Sequence, residues 1–504
     1  MAPGAIAGLA LLLRLHDLAG KPFWLDEIAS LRRATMPFSD VAAAALHNNH
    51  YPTYFLLLWL VAKAGASPWV LRLPSAVFGA IGAGLVCAVG REAEGRQTGI
   101  AAGLLLALSP FDVQYGQEAR SYTLVTMLIL VAMWGLVRLA RDPATAARPL
   151  RFDRRPPAPW LAYCAGTAAA LDVLNVAAGW LVAANLAALV MACRAGDGRR
   201  AFLRNWGIAQ ALVVAAWLPA LVAVWVVSDG AVWDAAQWAP PATIASIWAV
   251  AAPVYLHRIG AFITFDLLPA RVPGLSAAIA ALAACGVWRL RRQPAVAAAV
   301  GCAGIVLPIL FMLLSLAKPI MVPRYFGWSA PAFFILAGAG LGRLSAARFA
   351  ACAAALAAAC LINLSPYYHA ETKPRWDVAV DRLADAAHDG DVVLLNGWYA
   401  DYVMQAFAER GPLADRQLVI VDEPAAAAAA IRRAPHHDFW VVFGRAGQGA
   451  LPRPDDYLAS LSGLGQPVAE QRIGRYIVLW QFTPDRLAEF CPDPAACGPG
   501  DAKP

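Results

Sequence analysis

The sequence predicts a polytopic α-helical membrane protein that carries an α/β domain outside the membrane after about residue 365. Three observations predict it. Of 504 residues, 60% are hydrophobic and 15% are charged, against roughly 25% charged in an average soluble domain. The mean hydropathy is +0.54. Apolar stretches of about 20 residues, the length that crosses a hydrocarbon core, recur as far as about residue 364, and beyond them helix-like and strand-like segments alternate.

The predicted spans number about eleven. They lie at 3–19, 70–90, 97–113, 121–140, 159–175, 176–193, 205–227, 270–288, 295–317, 325–343 and 347–364. The first is weakened by Arg14, His16 and Asp17, and it lacks the basic start and small-residue cleavage site of a signal peptide, so it reads as a retained helix. Loop 20–69 contains "YPTYFLLLWLVAKAG", flanked by proline and short for a crossing, which suits a helix lying in the interface.

Arginine in the short loops sets the orientation. With the N-terminus in the cytoplasm, the inside loops carry Arg91 and Arg96, then Arg141 to Arg155, then Arg194 to Arg204, then Arg289 to Arg292, then Arg343 and Arg348. Loops 20–69, 114–120, 228–269 and 318–324 then face outward. The net charge of +7 is largely this arginine. No basic face with interleaved aromatics is present, which excludes a nucleic-acid partner.

Residues 1–365 therefore form the membrane domain. Residues 366–484 form the outer domain, with strands at 391–396, 417–422, 438–444 and 475–482 and helices at about 398–410, 424–433 and 454–462. The tail 485–504 is rich in Pro and Asp. Seven of nine cysteines sit in apolar segments, where cysteine packs as a small hydrophobe; Cys491 and Cys497 in the tail are either free thiols or, in an oxidising compartment, a disulfide. "PHHD" (435–438) reads as a turn at a strand edge rather than a metal site.

Chemistry points to the outer loops. Asp26 and Glu27 stand together in "FWLDEIAS" at the membrane edge, where a carboxylate out of water needs a partner. The same loop holds His50 and Tyr54 in "HYPTY". Glu118, Arg120 and Tyr122 follow in "QEARSY", then Lys318 and Arg324 in "KPIMVPRY". Carboxylates and cations on one side of a membrane suit a site that activates a nucleophile and holds an anion. The plain alternatives stay open: solvated loop acids, a Glu118–Arg120 pair, snorkelling arginine and interface tyrosines. The aromatic-rich loop 228–269 reads as a lid at a substrate entrance, or as short interfacial helices.

The ordered segments "LDE" (25–27), "HYPTYFLLLWLVAKAG" (50–65), "VLRLPSAVFGAIGAGLVCAVGRE" (70–92) and "LALSPFDVQYGQEARSYTL" (106–124) resemble the bacterial relatives of the protein O-mannosyltransferases and the aminoarabinose transferase group. "VPRYFGWSAPAFFILAGAGL" (322–341) and "KPRWDVAVDRLADAAHDGDVVLLN" (373–396) echo it further. The family often has two prolines after the histidine, where this chain has Tyr51, Pro52 and Thr53.

The resemblance implies a GT-C fold and an inverting glycosyltransferase. The donor would be a polyprenyl-phosphate sugar and the acceptor a hydroxyl of a cell-envelope protein, lipid A, core oligosaccharide or other glycan. It places the general base on Asp26. Glu27 would support the base or bind sugar, and Glu118 would bind sugar or acceptor or support the base. Arg324, then Arg120 and Lys318, would hold the leaving phosphate, with His50, Tyr54 and Tyr122 lining the substrate site. A monophosphate donor can be neutralised by Arg and Lys alone, so no catalytic metal or cofactor is expected. The implied place is the bacterial inner membrane, with the site and the outer domain in the periplasm. A flippase for lipid-linked sugars is the competing reading, and a membrane-anchored scaffold the third. A flippase would place ionisable groups at mid-bilayer on broken helices or repeats, and the acids here gather at one face.

Overall fold

The computed structural model describes residues 2–150, 156–228, 242–260, 266–318, 320–396, 400–409, 411–444, 453–461 and 464–486. The chain forms two compact units. The second takes Gly20–Ala29 together with everything from Glu371 onward, and the first holds most of the rest.

The first unit is helical. It opens with α1 (Ala2–Leu15), and after it come α2 (Leu25–Thr35), whose residues as far as Ala29 belong to the second unit, α3 (Phe38–His47) and α4 (Thr53–Val61). The predicted interfacial helix is α4; α2 and α3 add helical structure to loop 20–69 that its mixed composition did not announce. The long helix α5 (Pro68–Ala93) is capped by Ser67, whose hydroxyl accepts from the Val70 N–H, and it has proline in its first turn, where a missing N–H costs nothing. Helices α6 (Arg96–Ala107), α7 (Pro110–Gly116) and α8 (Tyr122–Arg141) follow, then α9 (Pro143–Ala147), α10 (Ala158–Leu171), α11 (Ala178–Arg194) and α12 (Arg199–Val227). The unit closes with α13 (Ile244–Tyr255), α14 (Leu275–Leu290), α15 (Pro294–Gly301), α16 (Leu307–Leu314), α17 (Pro323–Phe326), α18 (Ala330–Leu341) and α19 (Ala346–His369).

Each of the eleven predicted spans falls on helix. Among the described residues six helices are long and apolar enough to cross a membrane. The expected span 97–113 breaks between α6 and α7 at Ser109-Pro110, because the residue before proline is driven out of the helical region. The expected span 325–343 is divided among α17, a 3-10 turn (Gly327–Ser329) and α18. Loop 114–120 likewise begins inside α7, and loop 318–324 ends inside α17. Between α15 and α16 the helix widens into a π turn, Cys302–Val306. Pro308 explains it: proline lacks the N–H for an i−4 bond and its ring would strike the carbonyl of Gly304.

Small residues let these helices approach. A Cβ on Gly286 of α14 would strike the Leu336 carbonyl of α18, and one on Gly340 of α18 would strike the Leu282 carbonyl of α14. Gly135 of α8 and Gly166 of α10 meet their partners in the same way. This is how helices pack where lipid supplies no hydrophobic drive between them. The outward faces are apolar; Leu212, Val214, Leu218, Val222 and Trp225 of α12 are all exposed.

The two ends of the bundle differ in charge. At one end Arg289 pairs with Glu94 at 2.7 Å and Arg138 with Glu92 at 3.0 Å, while Arg141 donates to the Glu92 carbonyl at 2.9 Å. These are residues the sequence places on the inner side. The opposite end of α8 starts at Tyr122, and its 20 residues make about 30 Å of helix, one hydrocarbon thickness. The chain is a multi-pass membrane protein.

The second unit contains α20 (Trp376–Ala386), β1 (Val392–Leu395), α21 (Ala400–Ala408), β2 (Val419–Val421), α22 (Pro424–Arg433), β3 (Phe439–Gly444), α23 (Pro454–Ser460), β4 (Ala469–Ile473) and β5 (Ile477–Phe482). Its sheet runs in the order β2-β1-β3-β5-β4. The β2-β1-β3 part is parallel and β5 and β4 are antiparallel. Central strands β1 and β3 are buried throughout, as a sheet covered on both faces requires. One core joins Val392, Leu394, Phe439, Val441 and Trp480 to Ala427 and Ile431 of α22. The four expected strands and three expected helices are present. The fifth strand, β4, was not expected: "AEQRI" has weak strand propensity, and its charges suit an exposed edge. "PHHD" forms the turn into β3. The boundary moves from 365 to Glu371, because α19 runs to His369. Cys491, Cys497 and most of the tail lie outside the described residues, as do 229–241 and 261–265 of the loop read as a lid.

Replacing Gly286 or Gly340 with Val should force α14 and α18 apart. The expected loss is about 1–3 kcal/mol each, read as a lower unfolding midpoint in detergent. Gly8→Ala, where nothing lies within 4 Å, should leave the midpoint unchanged.

Candidate active site

The two adjacent acids part company once folded. Trp24 starts α2: its carbonyl accepts from the N–H groups of Glu27 and Ile28, both at 2.9 Å. Asp26 and Glu27 thus occupy the first turn, where the helix dipole favours negative charge. Consecutive side chains on a helix point about 100° apart. Glu27 turns inward, fully buried, and binds Lys373 Nζ at 2.7 Å. Lys373 is itself 2% exposed. Asp26 stays half-buried. Both members of the Glu27–Lys373 pair belong to the second unit, so the pair ties segment 20–29 to the chain after the last span. Lys373 was not singled out in the sequence. It stands in "ETKPRW" among other charged residues, and nothing local shows that it is buried.

In the first unit, "HYPTY" and "QEARSY" are joined through Ser75 of α5. The Tyr54 hydroxyl and Ser75 Oγ lie 2.8 Å apart, and Ser75 Oγ donates to the Arg120 carbonyl at 2.9 Å. Thr123 Oγ1 donates to the Ser75 carbonyl at 2.9 Å. His50 Nε2 is 3.2 Å from an Arg120 Nη. Arginine can only donate, so Nε2 is the acceptor and Nδ1 carries the proton it shares with the Asn48 carbonyl. Glu118 and Arg120 are buried, and the Arg120 guanidinium lies 5.9 Å from the Tyr122 ring centre.

A pocket opens beside this cluster. Its walls include Asp112, Tyr115, Tyr122, Thr126, Arg324 and Trp328. Arg324 and Tyr122, which the sequence placed in different loops, therefore share one cavity. Lys318 is exposed and is not part of this wall; His50, Tyr54, Glu118 and Arg120 stand in the neighbouring hydrogen-bonded cluster.

Behind the pocket lies an ion pair the sequence did not single out. Arg14 of α1 is fully buried and binds Asp112 Oδ1 at 2.8 Å. Its guanidinium also donates to the carbonyls of Ala10 at 2.9 Å, Ala107 at 3.4 Å and Leu106 at 3.5 Å. It thereby caps the carboxyl end of α6, where cations are favoured. Gly79 and Gly116 flank the side chain, and a Cβ on either would strike it. A second buried cation, Arg72 of α5, donates to the Leu18 carbonyl at 2.9 Å. The available signal was arginine inside an apolar helix, which demands a buried partner. Among the described residues no group of three or more His, Cys, Asp or Glu side chains is placed to hold a metal ion.

Comparison with known proteins follows this geometry. Residues 49–225 match the family described as dolichyl-phosphate-mannose-protein mannosyltransferase. That stretch contains His50, Tyr54, Glu118, Arg120 and Tyr122. No curated protein matches the chain by sequence. Among solved structures it is similar to ArnT from Cupriavidus metallidurans in the apo state, with a TM-score of 0.59 and 14% identity over 95% of this chain and 97% of that one. The same protein bound to undecaprenyl phosphate gives 0.57 and 15% over the same shares. The Archaeoglobus fulgidus oligosaccharyltransferase, in complex with Zn and sulfate, gives 0.53 and 12% over 87% of this chain and 68% of that one. At these identities the likeness is one of fold. The chain has the GT-C fold.

Removing one member of the Glu27–Lys373 pair should leave a buried charge unmatched. Lys373→Met is expected to cost about 3–5 kcal/mol, measured by thermal unfolding or by protease resistance of the second unit. The double variant Glu27→Leu, Lys373→Met should cost less than the sum of the two single changes.

Proposed function

We propose that this GT-C chain is an inverting glycosyltransferase that moves a sugar from a polyprenyl-phosphate donor to a hydroxyl of a cell-envelope acceptor. The observation that carries the reading is the charge of the pocket beside Tyr122. Arg14 pairs with Asp112, and Arg324 brings its guanidinium to the same wall. A lipid-phosphate sugar is a phosphodiester with a single negative charge, and one arginine matches it bidentately. A diphosphate donor would bring more charge and call for a divalent cation.

Asp26 is assigned as the general base. It is a half-buried carboxylate in the first turn of α2. An acceptor hydroxyl must lose its proton as the glycosidic bond forms, and a carboxylate within hydrogen-bond reach can take it. The phosphate leaves without needing a general acid. One base and attack opposite the leaving group invert the anomeric carbon, with no covalent intermediate. Glu27, spent on Lys373, is assigned to holding α2 in place. Glu118 and Arg120 are assigned to the sugar or the acceptor, with His50 and Tyr54 fixing Arg120 and its loop. Lys318 is assigned to attracting the donor phosphate from the exposed surface.

The donor tail has a candidate path in the first unit. An open apolar groove is lined by Tyr255, Leu256, Gly304, Pro308, Met312 and Phe333. It follows the π turn, where Gly304, Ile305 and Pro308 line its wall. The positive-inside pattern supports a cytoplasmic N-terminus, a periplasmic site and a bacterial inner membrane. The sugar and the acceptor are left open.

The test uses protein purified in detergent with a panel of polyprenyl-phosphate sugars, following release of free polyprenyl phosphate. Asp26→Asn is expected to lower turnover at least about 100-fold with donor binding within about twofold. Equal turnover in both would remove Asp26 as the base. Release by the wild-type protein is expected to persist in excess EDTA; its loss there, restored by a divalent cation, would overturn the metal-free reading.

A further inference from the structure

We propose that Asp112 reads the sugar of the donor: Arg14 holds its Oδ1, and its Oδ2 accepts hydrogen bonds from ring hydroxyls. The inference rests on the lipid-phosphate-sugar reading of the pocket and deepens it. Four observations carry it. Asp112 is 9% exposed and what remains exposed lines the pocket. Its Oδ1 is occupied by Arg14 at 2.8 Å, while no side chain among the described residues bonds its Oδ2. The pair is neutral, so the open oxygen offers an acceptor without net charge, which suits a neutral hydroxyl better than an ammonium group. The walls beside it are aromatic, with Tyr115 and Tyr122 edge to face at 5.1 Å and Trp328 in the same lining. Aromatic faces suit the C–H side of a sugar ring, and the ring's hydroxyl edge then needs an acceptor.

Geometry makes the carboxylate a fixed reader rather than a mobile one. Ser109 caps α7 by accepting from the Asp112 N–H, and Arg14 is wedged between Gly79 and Gly116. Rotation of the carboxylate would cost the Arg14 bond. A site built to pair with a hydroxyl rejects a ligand that lacks it, because its own buried acceptor is left unsatisfied. Arg324 on the same wall holds the phosphate, and the sugar is attached to that phosphate by one bond, so the ring falls within the same cavity.

The test titrates purified protein with undecaprenyl phosphate and with undecaprenyl phosphate carrying mannose, arabinose or aminoarabinose. The wild-type protein is expected to bind at least one sugar-bearing probe about tenfold or more tighter than the bare lipid phosphate. D112N is expected to lose that preference by about tenfold; because it also leaves Arg14 unmatched behind the pocket, its binding of the bare lipid phosphate is expected to be no weaker than that of wild type. If D112N unfolds, the double variant R14Q/D112N leaves no buried charge unmatched and should show the same loss. The inference is overturned if the preference survives in the variant that folds, if bare and sugar-bearing probes weaken together, or if the wild-type protein binds every sugar-bearing probe no tighter than the bare lipid. Absence of binding to any of the four probes would instead remove the donor reading, and the inference with it.

Discussion

Arg14 carries a full charge into the helix bundle with none of its surface exposed, and much of the first unit is arranged to accommodate it. Guanidinium cannot shed its proton, so in a medium of low dielectric it must be matched. Asp112 supplies the charge, and the carbonyls of Ala10, Leu106 and Ala107 accept from the Arg14 Nη groups. Two glycines on α5 and α7 leave room for the stem. Gln117 then donates to the carbonyls of Arg14 at 3.0 Å and His16 at 2.6 Å, and Tyr367 of α19 donates to Gln117 at 2.9 Å. One buried cation thus sets the end of α1, the stop of α6, the placement of α7 and the docking of α19.

The same constraint shapes the second unit on a smaller scale. Glu27 and Lys373 are nearly 350 residues apart in sequence and both lose their water. Such a pair adds little stability over apolar packing but strongly penalises any fold that separates its members. It therefore specifies where segment 20–29 goes, and with it the first turn of α2. Asp26 inherits that placement without being part of the pair. Of two neighbouring acids, one is used to hold the helix and the other stays half-buried.

The outer cluster shows why loops far apart in sequence can act together. Ser75 lies deep in an apolar helix and looks unremarkable as a residue type, yet it bonds Tyr54 on one side and the Arg120 backbone on the other. His50 adds a third link by accepting from Arg120. Tyr54, Ser75, Thr123, His50 and Arg120 are joined by hydrogen bonds in this low-dielectric region, where such bonds are strongest. The cost of an unsatisfied group is what brings the two loops to one place.

Sequence by itself determined the class of the protein, because hydropathy and arginine placement are local sums that need no knowledge of contacts. It located all eleven apolar segments on helix, four of five strands, and the loops that carry Asp26, His50, Tyr54, Glu118, Arg120, Tyr122 and Arg324. The resemblance of "LDE", "HYPTY" and "QEARSY" to a known family pointed to the GT-C fold. Tertiary structure alone decided which charges meet. Arg14 with Asp112, Glu27 with Lys373, and Arg324 with Tyr122 at one cavity are all pairings across long separations. The strand β4 also needed its partner β5, since its own residues favour no strand. Periodicity records how a residue relates to its near neighbours along one helix or strand. The partner of a buried charge is chosen by desolvation in three dimensions, and that term is absent until the helices have packed.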